Sequence, residues 1–214
     1  MATFLIDLSP SDMQRRLGDA LAVYVDAMRY PRGTENQRAS MWLEHARRPG
    51  WKAVAAVTVH AASVGGADNA ASVGGADNAA SVGGAELATA PLVGIAYGYC
   101  GAPDQWWQQQ VVAGLHRTGA DRARIAQLMA SYFELTELHI HPRAQGHGLG
   151  EALARRLLAG RDESHVLLST PEINGEANRA WRLYRRLGFT DVIRGYHFAG
   201  DPRAFAILGR PLPL

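Results

Sequence analysis

The spacing of apolar residues over the first 130 positions predicts a mixture of strands and helices. Runs of valine, branched and aromatic residues predict strands, and apolar residues that recur every three or four positions predict helices. The first helix opens at Ser9-Pro10-Ser11-Asp12, where either serine can cap it, and it ends before Pro31. The predicted strands are 3–8, 51–60 and 92–100, and the later predicted helices are 34–48, 104–115 and 121–130.

The second part of the chain has a more regular alternation of the two patterns. The predicted strands are 132–141, 165–170, 189–198 and 203–208, and the predicted helices between them are 148–160 and 176–187. This order of elements around a largely antiparallel sheet indicates the α+β class.

A nine-residue repeat interrupts the pattern between the second and third strands. The segment ASVGGADNA occurs at 62–70 and again at 71–79, and a third copy begins at Ala80. One valine per repeat cannot build a core, and the repeat lacks the third glycine and the aliphatic residue of calcium-binding β-rolls. We therefore interpret 62–88 as a flexible insertion in a single domain spanning 1–214, at the tip of an antiparallel hairpin of its two flanking strands.

Composition narrows the class of protein. A chain of 214 residues with 47% apolar residues can bury a core, and a net charge of +2 argues against a nucleic-acid partner. Neither a membrane-spanning run nor a secretory leader is recognisable, which predicts a cytoplasmic protein with no membrane partner. Cys100 is the only cysteine, and His139 and His141 have no third ligand at a matching spacing, so we expect no metal and solvated histidines.

The strongest chemical signal is a glycine-rich turn between a strand and an amphipathic helix. Leu149, Leu153 and Leu157 predict the buried stripe of that helix, with Ala152 beside them. Glycines at the mouth of a helix leave its first amide groups bare, and the helix dipole favours an anion there. The sequence therefore predicts a phosphate or pyrophosphate site at the turn. The turn consists of Gln145, Gly146, His147, Gly148, Leu149 and Gly150.

Two motifs resemble one family. The first is Gln-x-x-Gly-x-Gly at Gln145, after a strand end with Leu138, Ile140 and Pro142. The second, NRAWRLYRRLGF at 178–189, has an asparagine, a tyrosine six residues later and a closing Gly-Phe. With a strand between them, they resemble the GNAT superfamily of acyl-CoA-dependent N-acyltransferases. The resemblance implies a mixed, mostly antiparallel twisted sheet with helices on both faces, splayed between the fourth and fifth strands.

The resemblance also implies a role for each matching residue. Acetyl-CoA would be the cosubstrate, with its pyrophosphate on the glycine-rich turn and its pantetheine arm along the end of the fourth strand. Asn178 would hold the arm from the other side, and the alternative is that it only caps a helix. Tyr184 would protonate the departing thiolate, and the alternative is a core tyrosine. The residues implied at the coenzyme are Leu138, His139, Ile140, Gln145, Gly146, His147, Gly148, Leu149, Gly150 and Asn178.

Direct transfer to an amine requires a base, which the sequence leaves open. Glu134 lies near the position of a catalytic glutamate in some family members, and Glu137 is the second choice. Strand alternation puts them on opposite faces, and either can instead be a surface charge. Trp106 and Trp107 can line an acceptor pocket or pack against the sheet.

The resulting interpretation is an N-acetyltransferase that transfers acetyl from acetyl-CoA to a primary amine. The acceptor, a small molecule or a protein, is not encoded in any motif, and the resemblance makes a homodimer an expectation. The alternative is a module that senses acyl-CoA without turnover. A nucleotide-binding α/β domain is disfavoured by the glycine spacing and by the lack of an all-parallel βαβ run.

Overall fold

The computed structural model of the chain describes residues 1–60, 83–173 and 178–214. The strands of this part are β1 (Ala2–Leu8), β2 (Lys52–Val59), β3 (Leu92–Cys100), β4 (Tyr132–Ile140), β5 (His165–Pro171), β6 (Thr190–Tyr196) and β7 (Phe205–Pro211). Its α-helices are α1 (Pro10–Arg15), α2 (Leu17–Met28), α3 (Thr34–His45), α4 (Gly84–Thr89), α5 (Trp106–Arg117), α6 (Arg122–Met129), α7 (Leu149–Leu158) and α8 (Arg179–Arg186).

The chain divides into two compact units. The first comprises Met1–Gly98 and Glu137–Leu157. In it β1 pairs antiparallel with β2, and β2 pairs antiparallel with β3, so the strands that flank the repeat are neighbours as predicted. Strand β2 is rich in buried alanine and valine, and the helices of this unit contribute larger buried side chains such as Met13, Trp42 and Leu153.

The second unit comprises Tyr99–Thr136 and Leu158–Leu214. Its β4 segment pairs in parallel with β5 over Tyr132–Glu134 and His165–Leu167, and β7 lies between β5 and β6 with antiparallel pairing on both sides. Helices α5 and α6 contribute Val111, Leu115 and Ile125 to its core. The parallel pair is the consequence of the connection through α7, since a parallel neighbour needs a crossover of a dozen residues or more.

Strands β3 and β4 each continue from one unit into the other, and the full strand order is β1-β2-β3-β4-β5-β7-β6. The sheet is mixed and mostly antiparallel with helices around it, which confirms the α+β class. The predicted splay between the fourth and fifth strands concerns the placement of the two units and stays a prediction, as does the single-domain interpretation.

The structure corrects some of the predicted element boundaries. The first predicted helix is two helices, because Arg16 leaves helical geometry with φ −106° and ψ 15° and directs its guanidinium to the carbonyl of Ala90. Helix α4 begins within 62–88, where the sequence predicts an insertion without structure, and it ends at Thr89. The repeat up to residue 82 lies outside the described residues. Helix α8 begins at Arg179, and 174–177 are also outside them.

The helices of the described ranges are short compared with a lipid bilayer. None of them, the longest having 12 residues, is long and apolar enough to cross a membrane.

Candidate active site

Helix α7 presents the predicted apolar stripe to the core of the first unit. Leu149, Leu153 and Leu157 are buried, and the small residue beside them is Ala154, since Ala152 is half-buried. This corrects the predicted stripe by half a turn. At the carboxyl end of the helix the ammonium group of Lys52 donates to the carbonyl of Arg156 at 2.9 Å. A cation at this end satisfies a carbonyl that the helix leaves unpaired and complements the dipole.

The turn before α7 has the backbone that the glycines predict. Gly146 and Gly148 have φ of +90° and +76°, in the left-handed region that only glycine enters at little cost. A short 3₁₀ turn, Pro142–Ala144, leads into it, and the side-chain amide of Gln145 donates to the carbonyl of Ile140 at 3.0 Å. That hydrogen bond fixes the turn against the end of β4.

The amide groups of this turn are available to a ligand. In the described part of the chain, the main-chain N–H groups of residues 146–150 have no hydrogen-bond partner, while Gly148 already accepts from Glu151 and Ala152. Residues 146–148 are exposed, and an added Cβ at Gly146 or Gly148 would meet nothing within 4 Å. Five free donors at a helix N-terminus form a site for an anion of the size of a diphosphate.

The end of β4 carries a histidine–carboxylate pair. The Nε2 atom of His139 lies 2.5 Å from Oε2 of Glu137, and the two side chains are only 11% and 15% exposed. The ring of Tyr24 from α2 packs edge to face on the imidazole, with 4.9 Å between the ring centroids. The expectation of a solvated histidine is therefore wrong for His139, because α2 covers this face of the strand.

His141 is also paired rather than solvated. Its Nδ1 accepts from the main-chain N–H of Arg143 at 3.2 Å, and its Nε2 lies 3.3 Å from a carboxylate oxygen of Asp26 on α2. These two contacts attach the start of the 3₁₀ turn to α2. Among residues 1–60, 83–173 and 178–214, no group of three or more histidine, cysteine or acidic side chains could hold a metal ion.

Glu134 belongs to the second unit and is buried. The residue is only 4% exposed. Its carboxylate oxygen Oε1 accepts from the hydroxyl of Tyr99 at 3.3 Å and from the hydroxyl of Thr136 at 3.4 Å. A surface charge, the other interpretation left open by the sequence, is therefore wrong for Glu134. Its role as a base stays a prediction.

Helix α8 carries the second motif. Asn178 is the N-cap, and its Oδ1 accepts from the N–H of Ala180 at 2.9 Å. Capping uses only this oxygen, and the predicted coenzyme contact would use the side-chain NH₂. Tyr184 is buried with its ring 5.6 Å from that of Phe189. Gly188 ends the helix with φ +79°, as the Gly-Phe pattern predicts.

The two tryptophans at the start of α5 have different environments. Trp107 is buried and its indole N–H donates to the hydroxyl of Ser169 at 3.3 Å, so it packs in the core of the second unit. Trp106 is 52% exposed and lies over Phe198. Only Trp106 is therefore available to an external acceptor.

Cys100 is unsuited to nucleophilic catalysis. Its thiol donates to Oε1 of Glu163 at 3.0 Å, and burial together with that carboxylate raises the pKa of the thiol. Burial opposes the charge of Glu163, but hydrogen bonds from Arg161 and Cys100 outweigh it and lower the pKa of this carboxyl to about 2. The thiolate that a nucleophile requires is thus disfavoured.

The sequence did not identify the partners of these side chains. Tyr99 and Tyr24 are far from Glu134 and His139 in the chain, and both tyrosines lie in apolar patterns that predict only core residues. One signal could have indicated them: a tyrosine in an apolar strand or helix has a hydroxyl that needs a hydrogen-bond partner when it is buried.

Comparison with known proteins places this geometry in a family. A model described as acetyltransferase (GNAT) domain matches residues 104–191. A GCN5-like protein acetyltransferase of Mycobacterium tuberculosis is 75% identical over 214 residues, which cover 100% of both chains.

Solved structures share the fold at low sequence identity. A chain described as a GNAT-family acetyltransferase from Desulfovibrio desulfuricans has a TM-score of 0.57 and 13% identity, with 98% of each chain covered. NAA60 of Arabidopsis thaliana, crystallised with acetyl-CoA, has a TM-score of 0.55 and 15% identity, again with 98% of each chain covered. With the full-length relative at 75% identity, these likenesses confirm the resemblance: the chain belongs to the GNAT acetyltransferase family.

Proposed function

We propose that the chain transfers an acetyl group from acetyl-CoA to a primary amine of a protein. The observation that carries this proposal is the turn at residues 145–150, where five main-chain donors at the N-terminus of α7 have no partner among the described residues. Coenzyme A has a pyrophosphate that fits such donors, and the two positive-φ glycines give the phosphate oxygens room to approach.

The remaining coenzyme contacts follow the family motifs. The main chain of Leu138–Ile140 would pair with the pantetheine arm as an added strand, and a main-chain N–H there would polarise the thioester carbonyl. Asn178 would donate its side-chain NH₂ to the arm while its Oδ1 continues to cap α8. The acyl group would then be presented beside the end of β4.

The reaction balances without a covalent enzyme intermediate. The nitrogen of a neutral amine attacks the thioester carbonyl carbon, a C–N bond forms, and the C–S bond breaks. The amine loses a proton to a base, and Tyr184 donates its phenolic proton to the departing thiolate. The raised pKa of Cys100 supports direct transfer, because an acyl-thioester on the enzyme would need a reactive thiolate.

The proposed acceptor class rests on the close relative. The Mycobacterium tuberculosis protein is described as a protein acetyltransferase, and 75% identity over the whole chain supports the same class of acceptor. The amine would be a lysine side chain or a protein N-terminus. The chain itself has a single lysine, Lys52, which is engaged at the end of α7.

Release of free thiol from acetyl-CoA in the presence of a panel of peptide and small-amine acceptors tests the proposal. We expect turnover with peptide amines, and we expect Tyr184→Phe to lower kcat by about 100-fold, the usual effect of removing a general acid. Tyr196→Phe is the control. It removes the hydroxyl of a comparably buried tyrosine that lies outside the proposed site and donates to Gln110.

The outcomes separate the proposed enzyme from the acyl-CoA sensor. Turnover that Tyr184→Phe abolishes and Tyr196→Phe leaves unchanged supports the enzyme. Tight binding of acetyl-CoA without turnover on any acceptor supports the sensor. Turnover on small amines alone would contradict the protein acceptor.

A further inference from the structure

We propose that His139, oriented by Glu137, is the general base that takes the proton from the acceptor amine. The inference rests on the proposed function and names a base that is neither Glu134 nor Glu137 itself. Its starting point is the 2.5 Å contact between Nε2 of His139 and Oε2 of Glu137. The two residues are two positions apart on β4, so strand alternation places both on the same face.

The pair fixes which nitrogen can accept a proton. With Nε2–H donating to the carboxylate, the lone pair of the neutral imidazole is on Nδ1. In the described part of the chain Nδ1 has no hydrogen-bond partner, and it is not among the buried atoms that lack one, so it is accessible. A carboxylate that holds one nitrogen and leaves the other free stabilises the imidazolium formed when the base acts.

The surroundings preserve this arrangement. Tyr24 of α2 covers one side of the imidazole, and burial, followed by the charge of Glu137, raises the pKa of its phenol, so it stays neutral. The guanidinium of Arg38 from α3 lies 5.8 Å from the centre of the Tyr24 ring, and the Tyr30 ring lies 5.5 Å from the same centre.

His141 is already paired with Asp26 and the N–H of Arg143, and His45 of α3 is a further histidine in this region. Burial and the charge of Arg48 lower its pKa to about 4, so it is neutral at pH 7, hydrogen-bonded to the hydroxyl of Tyr97 at 3.0 Å. It therefore does not compete for the proton. Glu137 is the charged group in contact with His139.

Glu134 is less suited to the task. Its carboxylate oxygen Oε1 already accepts from the hydroxyls of Tyr99 and Thr136. Its other oxygen, Oε2, is buried as well, so neither oxygen is open to an incoming amine. Imidazole is also the side chain most often used as a general base in enzymes that work near neutral pH.

The position of His139 in the chain suits the reacting amine. It lies within Leu138–Ile140, the segment that would run beside the pantetheine arm under the proposed function. As the C–N bond forms, the amine proton moves to Nδ1 of His139 and the positive charge is shared with Glu137. The proton that Tyr184 gives to the thiolate is a separate one, so both transfers balance.

The test is the dependence of kcat/KM on pH for an acceptor peptide with a free α-amino group. We expect His139→Gln to lower kcat/KM by about 100-fold at pH 7 and by less than about tenfold at pH 9.5, where an α-amino group is already neutral. We expect Glu137→Gln to lower it by about tenfold and to move the acidic limb to lower pH, because the imidazolium loses its anionic partner.

Two further measurements distinguish a base from a structural residue. We expect added 4-methylimidazole to raise the turnover of His139→Ala at least about tenfold. It should not stimulate His116→Ala, which removes an exposed histidine on α5. Affinity for acetyl-CoA and Tm should match the wild-type protein in every variant used for the comparison.

The inference is overturned by any of three results. The first is that His139→Gln turns over as fast as the wild-type protein. The second is that His139→Gln loses the same factor of kcat/KM at pH 7 and at pH 9.5 and 4-methylimidazole does not restore His139→Ala. The third is that Glu134→Gln, and not His139→Gln, removes the acidic limb of the pH profile. Each of these leaves the proposed function intact, since the wild-type protein still transfers acetyl. A wild-type protein that binds acetyl-CoA and never transfers it would overturn the proposed function, and the inference with it.

Discussion

Gly148 and Gly160 lie just beyond the two ends of helix α7, and both have a left-handed backbone. Their φ angles are +76° and +68°, and an added Cβ would contact nothing within 4 Å at either position. A residue other than glycine would therefore be unfavourable at either position only because of the backbone conformation, and it would cost about 1–2 kcal/mol of stability. Only Gly148 belongs to the turn with free amides, so the two positions separate loop strain from ligand binding.

We expect Gly148→Ala to lower the affinity for acetyl-CoA at least about tenfold, because a shift of this residue turns the neighbouring N–H groups away from a common point. Gly160→Ala carries similar strain and should leave the affinity unchanged. Calorimetric titration of each variant with acetyl-CoA, beside its Tm, is the measurement. Equal affinities in the two variants would show that the turn does not bind the coenzyme.

The hydrogen bonds and backbone conformations of single residues were predictable where the interacting residues are close in sequence. The capping box of α1 is an example: Ser9 Oγ accepts from the N–H of Asp12, and the Asp12 carboxylate accepts from the N–H of Ser9. The glycines of the turn and Gly188 are others. The surroundings of His139 and Glu134 were not predictable, because their contacts Tyr24 and Tyr99 come from other elements.

At the scale of elements, Gly114 shows how a local signal can mislead. The sequence predicts that the helix ends at 115, directly after this glycine, but α5 continues to Arg117. Gly114 lies inside the helix, where an added Cβ would be 2.7 Å from Cε2 of Tyr196 and 2.8 Å from Cδ1 of Ile193. The glycine is thus a site of close helix–strand approach, and not a helix end.

We expect Gly114→Ala to destabilise the protein by about 1–3 kcal/mol, because the Tyr196 and Ile193 side chains must shift in a packed core. Gly18→Ala in α2 is the matched control, since its Cβ would meet nothing within 4 Å and alanine is the better helix former. Urea unfolding of both variants measures the difference. A more stable Gly114→Ala protein would mean that α5 packs more loosely against β6.

At the scale of the whole molecule, the nine-residue repeat is the segment whose sequence predicts the smallest contribution to a core. Its sequence has one valine in nine residues, and β2 and β3 pair directly in antiparallel register on either side of it. Most of the repeat lies outside the described residues, and its interpretation as an inert insertion stays a prediction.

Deleting residues 62–70 removes one complete copy and leaves an identical copy in its place. We expect Tm to change by less than about 2 °C and the affinity for acetyl-CoA to stay the same, because a sequence with one valine in nine residues has too few apolar side chains to build a core. Differential scanning calorimetry and coenzyme titration check this. A fall of several degrees would show that the repeats pack against the domain.

Much of the architecture could be read from periodicity and turn residues. β3 has the predicted bounds, and most other elements differ by a few residues at their ends. The exceptions have tertiary causes: Arg16 leaves the helix and binds the carbonyl of Ala90, and α4 forms next to β3 with Leu87 buried. Local spacing contains no information on such distant partners.

The sequence by itself determined the α+β class, the glycine turn before α7 and the two motifs of an acetyltransferase, because each depends on residues within a few positions of one another. Only the tertiary structure decided the parallel pairing of β4 with β5, the burial of Glu134 beneath Tyr99, and the cover of Tyr24 over the His139–Glu137 pair. These depend on which faces of distant elements meet, and the free energy of burying those faces is a property of the folded chain.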